Sequence, residues 1–167
     1  EYFKELGINQ IKLMPAYEFA EMESVKTHAR YRKEEELPKR LNYWGYTKAF
    51  HFAPKRAYAA TKDPVREFKD MVKTMHRLGI EVLMEFYFPE GCSPRYITEC
   101  LQYWVQEYHV DGFRFDLMGL HDTETMNEIR AALDCLPGGK EILMYGEPWT
   151  AGKTAIQPGY EQALKCN

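Results

Sequence analysis

The stretch VDGFRFDLMG, residues 110–119, places an arginine and an aspartate among apolar residues. It is short and apolar enough to predict a buried β-strand, and alternation along a strand puts Arg114 and Asp116 on the same face. A buried face carries charged groups only at a cost in free energy, unless they are paired. The stretch therefore predicts a strand that holds either a structural ion pair or part of an active site.

Outward from this stretch, apolar runs alternate with stretches of helical spacing. The runs predict strands within INQIKLMPA (8–16), IEVLMEFYF (80–88), VDGFRFDL (110–117) and EILMYGE (141–147). The stretches between them predict helices within VREFKDMVKTMHRL (65–78), SPRYITECLQYWVQEYH (93–109) and DTETMNEIRAALDCL (122–136). Asp63, Ser93 and Asp122 stand at the starts of these helices as N-caps.

Regular alternation of helices with short apolar strands predicts parallel βαβ units and an α/β fold. No strand is followed by hairpin turn residues, so the sheet is expected to be wholly parallel. Residues 17–62 show no clear period. Such repeats fit half of a (β/α)8 barrel or an open doubly wound sheet, and no G-x-G-x-x-G motif follows a strand to favour a dinucleotide-binding fold.

The composition indicates a globular protein. The 167 residues are 45% hydrophobic and 28% charged, with a formal net charge of −3, so we expect neither nucleic acid nor a membrane as partner. Nothing at the start of the given sequence resembles a signal peptide. Cys92, Cys100, Cys135 and Cys166 lack metal-type spacing, which predicts free thiols and a cytoplasmic location. The sequence opens on EYFKELGINQ without an initiator methionine, which predicts the end of a helix at Gly7, and it stops at EQALKCN without a capping residue. We therefore expect a piece of a larger protein.

Two acidic residues follow consecutive predicted strands. Asp116 lies near the end of the third strand and Glu147 at the end of the fourth. Neighbouring parallel strands are about 4.8 Å apart, so the two carboxylates are expected to share one edge of the sheet. A separation of about 5–5.5 Å is what a retaining glycosidase uses. Arg114 is expected to lower the pKa of Asp116 and keep it ionised.

Several segments together resemble the α-amylase superfamily, the family 13 glycoside hydrolases. VDGFRFDLMGLHD resembles the segment with the nucleophile, and YGEPW resembles the segment with the acid/base glutamate. The Trp-Gly-Tyr segment narrows the resemblance to debranching enzymes of pullulanase and isoamylase type. The matching segments cover almost the whole chain in the family's order: IKLMPAYEF (11–19), NYWGYTKAFHFAPKRAYA (42–59), REFKDMVKTMHRLGIEVLM (66–84), VDGFRFDLMGLHD (110–122) and YGEPW (145–149).

The resemblance implies a role for each matching residue. Asp116 would be the nucleophile, Glu147 the general acid/base, and Arg114 the residue that orients the nucleophile. Tyr46 would stack beneath the sugar at the cleaved bond. The fold it implies is a partial (β/α)8 TIM barrel of parallel strands alternating with helices.

Four further residues are candidates for contact with the sugar chain or for a structural role. Trp149 lies beyond Glu147 and is expected to line the sugar cleft or to pack. His121 and Asp122 stand where such enzymes touch the acceptor-side sugar, and Asp122 also has the position of a helix cap. Trp44 is expected to pack.

The chain departs from the family pattern after the second of the matching strands. The family has Asp-x-x-x-Asn-His there, whereas this chain has EFYFPE, with Glu85, Pro89 and Glu90 at those three positions. The histidine normally binds the sugar and the asparagine often supports a calcium site. Proline has no ligating side chain, so we expect no metal there, and no cofactor.

The resemblance implies a retaining hydrolase that acts on α-1,6 branch linkages of α-glucans such as starch, glycogen and pullulan. Residues 1–167 would form a part of its catalytic barrel, from about the first helix to the fifth strand, and this part alone is expected to be inactive. The alternatives are an α-1,4-acting hydrolase or transferase of the same superfamily, a non-catalytic glucan-binding homologue and an inactive fragment.

Overall fold

A computed structural model describes residues 2–24, 39–152 and 161–163. In these ranges the helices are α1 (Tyr2–Glu5), α2 (Pro64–Arg77), α3 (Pro94–Tyr108) and α4 (Thr123–Asp134). The strands are β1 (Gln10–Leu13), β2 (Tyr17–Phe19), β3 (Met22–Ser24), β4 (Lys39–Leu41), β5 (Ala49–Pro54), β6 (Glu81–Phe86), β7 (Gly112–Phe115) and β8 (Leu143–Gly146).

A four-stranded parallel sheet forms the framework. Its strand order is β1-β6-β7-β8, and each neighbouring pair is parallel. The four strands of this sheet and helices α3 and α4 fall within the stretches that the sequence predicts, and α2 begins one residue before its stretch. The predicted caps Asp63, Ser93 and Asp122 each accept a hydrogen bond from the backbone N–H three residues later, so the α/β prediction is confirmed.

The two faces of the sheet differ in chemistry. One face packs on the helices: Phe86 and Phe113 are fully buried there, and the ring of Phe86 lies 6.0 Å from that of Trp104 in α3. Burial of such a ring contributes about 1.5–3 kcal/mol to folding. Because side chains alternate along a strand, Glu85 and Arg114 lie on the opposite face.

The four-stranded sheet is wholly parallel, as the sequence predicts, but the region between β1 and α2, where the sequence shows no clear period, contains two separate antiparallel pairs. There β2 pairs with β5 and β3 pairs with β4, both antiparallel. The partners are far apart in sequence and no two-residue turn joins them, so the hairpin signals on which the prediction relied are absent. The β2–β5 pair brings residues 42–48, which precede β5, back to the edge of the sheet where β1 ends.

The cysteines and the helices of the described residues can be compared with the predictions from composition. Cys92, Cys100 and Cys135 are free thiols, whereas Cys166 lies outside the described residues. Among the described helices, none is long and apolar enough to cross a bilayer.

The residue that ends α3 has an unfavourable backbone conformation. His109 has φ 54° and ψ 40°, in the left-handed region, and its N–H donates to the carbonyl of Val105. Left-handed backbone costs a non-glycine residue about 1–2 kcal/mol. We expect His109→Gly to stabilise the protein by about 0.5–1 kcal/mol, measured by urea unfolding. Any loss of stability would contradict this explanation.

Candidate active site

The register of the sheet places Asp116 and Glu147 side by side. Phe115 and Gly146, the last residues of β7 and β8, are partners in the sheet, and the two acidic residues follow them directly. The backbone N–H of Asp116 donates to the carbonyl of Phe86 at 2.8 Å, and that of Glu147 donates to Phe115 at 2.9 Å. Both residues therefore lie at the carboxyl edge of the sheet, where parallel α/β folds bind ligands.

One guanidinium connects three carboxylates at this edge. Nη1 of Arg114 donates to Oδ1 of Asp116 at 2.7 Å and to Oε1 of Glu85 at 2.6 Å. Its Nη2 lies 3.7 Å from Oε1 of Glu147. Arg114 and Asp116 share a face, as alternation predicts. They form an ion pair, and this pair also belongs to a larger cluster of charges.

Glu85 is the buried centre of the cluster. Its side chain is 1% exposed. Oε1 accepts the hydroxyl of Tyr46 at 2.5 Å in addition to Arg114, and Oε2 pairs with Nζ of Lys12. Burial raises the pKa of Glu85, but the hydrogen bonds from Lys12 and Tyr46 and the charge of Arg114 outweigh burial, so the pKa lies below its usual value.

A tight turn presents Tyr46 to Glu85. Oδ1 of Asn42 accepts the N–H groups of Trp44 at 3.0 Å and Gly45 at 2.9 Å. Gly45 has φ +82°, and a Cβ there would lie 2.7 Å from Cβ of Pro15, so only glycine fits. Trp44, which was expected to pack, is instead 62% exposed, with its ring 6.3 Å from that of Tyr46.

A buried hydroxyl fixes this turn above the sheet. Tyr17 is fully buried, donates to the carbonyl of Gly45 at 3.4 Å and accepts the N–H of Tyr87 at 3.1 Å. Burial raises the pKa of Tyr17. The hydroxyl therefore stays protonated and joins the Tyr46 turn to the residues that follow β6.

The pKa of Asp116 differs in direction from the prediction. Arg114 does lower it, but burial raises it more, and the negative charges of Glu147 and Glu85 add to the rise. The net pKa of Asp116 is therefore above its usual value. The sequence shows the neighbouring arginine but gives no measure of burial, and burial prevails here.

The residue after Asp116 is strained. Leu117 has φ 47° and ψ 52°, the left-handed region, and such a conformation costs about 1–3 kcal/mol at a non-glycine residue. Its N–H donates to Oε2 of Glu147 at 3.2 Å. The strained backbone thus supplies a donor that orients this carboxylate. Glu147 is the more accessible acid, with a side chain 32% exposed against 12% for Asp116.

Comparison with known proteins identifies the group. The chain is 30% identical, over 95% of its length, to a glycogen operon protein, the GlgX homolog of Haemophilus influenzae. It is 29% identical, over 89% of its length, to the pullulanase of Bacillus subtilis. Pullulanase from Paenibacillus barengoltzii, solved with maltohexaose and α-cyclodextrin, has a TM-score of 0.78 over 99% of this chain at 27% identity. The chain belongs to the debranching group of the α-amylase superfamily.

The match to the debranching group extends over only part of each relative. The chain spans 30% of the Haemophilus influenzae protein, 25% of the Bacillus subtilis pullulanase and 31% of the Paenibacillus barengoltzii structure. No family model matches the sequence. Because the chain superimposes on part of the pullulanase structure, its parallel strands and alternating helices form part of a (β/α)8 barrel.

Two candidate residues of the debranching group lie apart from the charge cluster. Trp149 is two residues beyond Glu147 and its ring is half exposed. His121 is buried; burial lowers its pKa, although a hydrogen bond to the backbone of Phe88 opposes the shift. Asp122 caps α4 through the N–H of Thr125, the alternative role that its position predicts. Substrate contact by Trp149 and His121 remains a prediction.

Two members of the cluster, Lys12 and Glu85, are not among the site residues that the sequence predicts. Lys12 was not singled out, and Glu85 appeared only as a departure from the family pattern. The sequence does hold a signal for Glu85, since it is the one charged residue in the apolar run VLMEF, residues 82–86. Lys12 has the weaker signal of a lysine between two apolar residues of a short strand.

The position at which the family pattern often supports calcium carries different residues here. Within residues 2–24, 39–152 and 161–163, no group of three His, Cys, Asp or Glu side chains is placed to hold a metal ion. Pro89 and Glu90 follow Phe88, where the family has asparagine and histidine.

Proposed function

We propose that this chain is part of the catalytic (β/α)8 barrel, from about its first helix to its fifth strand, of an enzyme that hydrolyses α-1,6 branch linkages in α-glucans with retention. The observation that carries the proposal is the pair Asp116 and Glu147, at the ends of adjacent parallel strands and in contact with one guanidinium. Membership of the debranching group supports the linkage type.

The two carboxylates have different roles in the reaction. Glu147 donates a proton to the glycosidic oxygen, Asp116 attacks the anomeric carbon, and the bond to the leaving sugar breaks as the ester to Asp116 forms. Glu147 then removes a proton from water, which attacks the anomeric carbon and releases Asp116. The greater exposure of Glu147 suits exchange of protons with water, and Arg114 orients Asp116.

Tyr46 provides the platform for the sugar at the cleaved bond. Its hydroxyl is bound to Glu85 and its turn is held by Tyr17, so the ring has a fixed position before substrate arrives. Trp149 and His121 are the further substrate contacts of the proposal. Maltooligosaccharides are bound in the related pullulanase structures, which supports an α-glucan as the substrate.

The stereochemistry of the product tests the roles of the two acids. We expect the full-length protein to release the α anomer first, because carboxylates from adjacent strands are close enough for a covalent intermediate. Proton NMR during the first turnovers measures the anomer directly. Initial release of the β anomer would mean direct attack by water and would overturn the assignment of Asp116 as nucleophile.

Substrate choice tests the linkage. The full-length protein is incubated with pullulan, which contains α-1,6 bonds, and with linear amylose, which contains only α-1,4 bonds. Cleavage of the α-1,6 bonds of pullulan, identified by release of maltotriose, without cleavage of amylose supports the proposal, with Glu147→Gln as the inactive control. Cleavage of amylose alone would favour the α-1,4-acting alternative, and binding without hydrolysis would favour a non-catalytic homologue.

The proposal includes a cytoplasmic location. The thiols of Cys92 and Cys135, one partly buried and one exposed, fit a reducing compartment. Fractionation of cells that produce the full-length protein tests this location.

A further inference from the structure

We propose that Lys12 is a positioning residue for this reaction: it neutralises Glu85, so that Arg114 stays bound to Asp116 and close to Glu147. The inference rests on the proposed function. It adds a second cation, which lies on the opposite side of Glu85 from Arg114, to the charge balance of the site.

The contacts divide the oxygens of Glu85 between two cations. Oε2 pairs with Lys12, whereas Oε1 accepts Arg114 at 2.6 Å and Tyr46 at 2.5 Å. The same Nη1 of Arg114 also donates to Asp116 at 2.7 Å. Arg114 is thus shared between two carboxylates. Lys12 therefore adds a second positive charge beside Glu85, which Arg114 does not neutralise by itself because it also pairs with Asp116.

Lys12 acts through Glu85. In the described part of the chain its ion pair is with Glu85, and its side chain is 36% exposed, so burial does not force the ammonium into this position. Glu85 by contrast is almost completely buried, and a buried carboxylate with an unpaired oxygen is costly. Substitution of Lys12, the exposed member of the pair, is therefore expected not to open a cavity.

Removal of Lys12 leaves Glu85 with two outcomes. Glu85 can take up a proton, or it can remain ionised and draw Arg114 away from Asp116. The charged and titratable groups that face Glu85 from the surrounding elements are Lys12, Arg114, Asp116, Tyr46 and Tyr17. Without Lys12, Arg114 is the single cation of this set and faces three carboxylates, including Glu147.

A double-mutant cycle in the full-length protein tests the inference. We expect Lys12→Met to lower kcat by about tenfold or more, with little change in KM. A loss of this size is typical of the coupling between residues in direct contact. Adding Glu85→Gln to Lys12→Met is expected to restore most of the lost kcat, because the charge that Lys12 balanced is gone. Lys12→Arg is expected to retain kcat.

The pH profile separates this role from a merely structural one. In Lys12→Met the activity relative to wild type is expected to rise as the pH falls, because Glu85 becomes protonated and releases Arg114. The double variant lacks the Glu85 carboxylate, so its activity relative to wild type is expected not to vary with pH. Lys69→Met, which removes an exposed lysine paired with Glu107 at 3.0 Å, is the matched control and is expected to leave kcat unchanged.

Each outcome decides one proposal. Independent effects of the two substitutions, or failure of Lys12→Arg to retain kcat, would overturn the role of Lys12 while debranching by wild type stands. If wild type itself does not cleave pullulan or amylose, the proposed function fails, and the same cycle is measured on the thermal unfolding midpoint. A loss in Lys12→Met that Glu85→Gln restores then supports the pairing, and additive losses overturn it.

Discussion

Replacing Asp116 by asparagine in the full-length protein is expected to lower kcat on pullulan by about a thousandfold or more, which is ~4 kcal/mol of activation free energy. An amide oxygen is too weak a nucleophile to form the glycosyl-enzyme, whereas its shape and its hydrogen bond from Arg114 are kept. Initial rates measure the effect. Isothermal titration with a maltooligosaccharide is expected to show that binding persists, because the residues that contact the sugar are unchanged.

The stability of Asp116→Asn provides the control for folding. The folded-state pKa of Asp116 is raised above its unfolded value, so the folded protein binds that proton more tightly than the unfolded chain. Stability is then lost as the pH rises through these two pKa values, and at neutral pH the ionised aspartate is a net cost. Asparagine removes this cost, and we expect an unfolding midpoint equal to or above that of wild type.

A small kinetic effect would refute the role of Asp116. A loss in kcat below about tenfold, ~1.4 kcal/mol, is too little for a nucleophile. A large loss together with a lowered unfolding midpoint would instead point to a damaged fold. Glu147→Gln, which keeps the acceptor for the N–H of Leu117, is the matched variant for the acid/base.

Most of the parallel sheet follows from local sequence. Each strand of the sheet is a short apolar run, and each long helix begins at a residue whose side chain can accept backbone N–H groups, such as Asp63 or Ser93. These signals depend on neighbours within a few residues, and they place Asp116 and Glu147 at strand ends without any knowledge of distant contacts.

The antiparallel strands and the Lys12–Glu85 pair depend on distant contacts. β2 and β5 pair across about thirty residues of sequence, and strand propensity in such short segments is set by packing. Glu85 and Lys12 lie on neighbouring strands separated by a helix and a long connection. The sequence shows each charge, but only the sheet register shows that they meet.

The direction of each pKa shift in the cluster also depends on contacts between distant residues. The cluster has two cations and three carboxylates, yet the pKa of Glu85 falls while that of Asp116 rises. Glu85 receives hydrogen bonds on both oxygens, whereas Asp116 receives one from Arg114 and faces two negative neighbours. Counting charges along the sequence therefore cannot give the direction for either residue. The number of donors at each carboxylate does.

Replacing Arg114 by methionine is expected to destabilise the full-length protein by about 3–5 kcal/mol at neutral pH, the usual cost of removing one partner of a buried ion pair. Methionine fills the space of the arginine stem but leaves Asp116 without its donor and Oε1 of Glu85 with Tyr46 alone. Lys12 is the one cation left in the cluster. Urea unfolding of the two proteins at neutral pH measures the difference.

The pH dependence of the Arg114→Met effect identifies its cause. In wild type the folded pKa of Glu85 is lowered, so its contribution to stability is present above the unfolded pKa of about 4.3 and is lost as the pH falls through the folded value. Without Arg114 the carboxylate pKa values rise, and the gap between variant and wild type is expected to narrow as the pH falls toward about 5. Arg95→Met, which removes an exposed arginine paired with Glu99 at 2.7 Å, is the matched control and is expected to leave the free energy of unfolding almost unchanged. A gap that is equally small for both variants, or one that stays constant with pH, would show that packing rather than charge explains the presence of Arg114 in this strand.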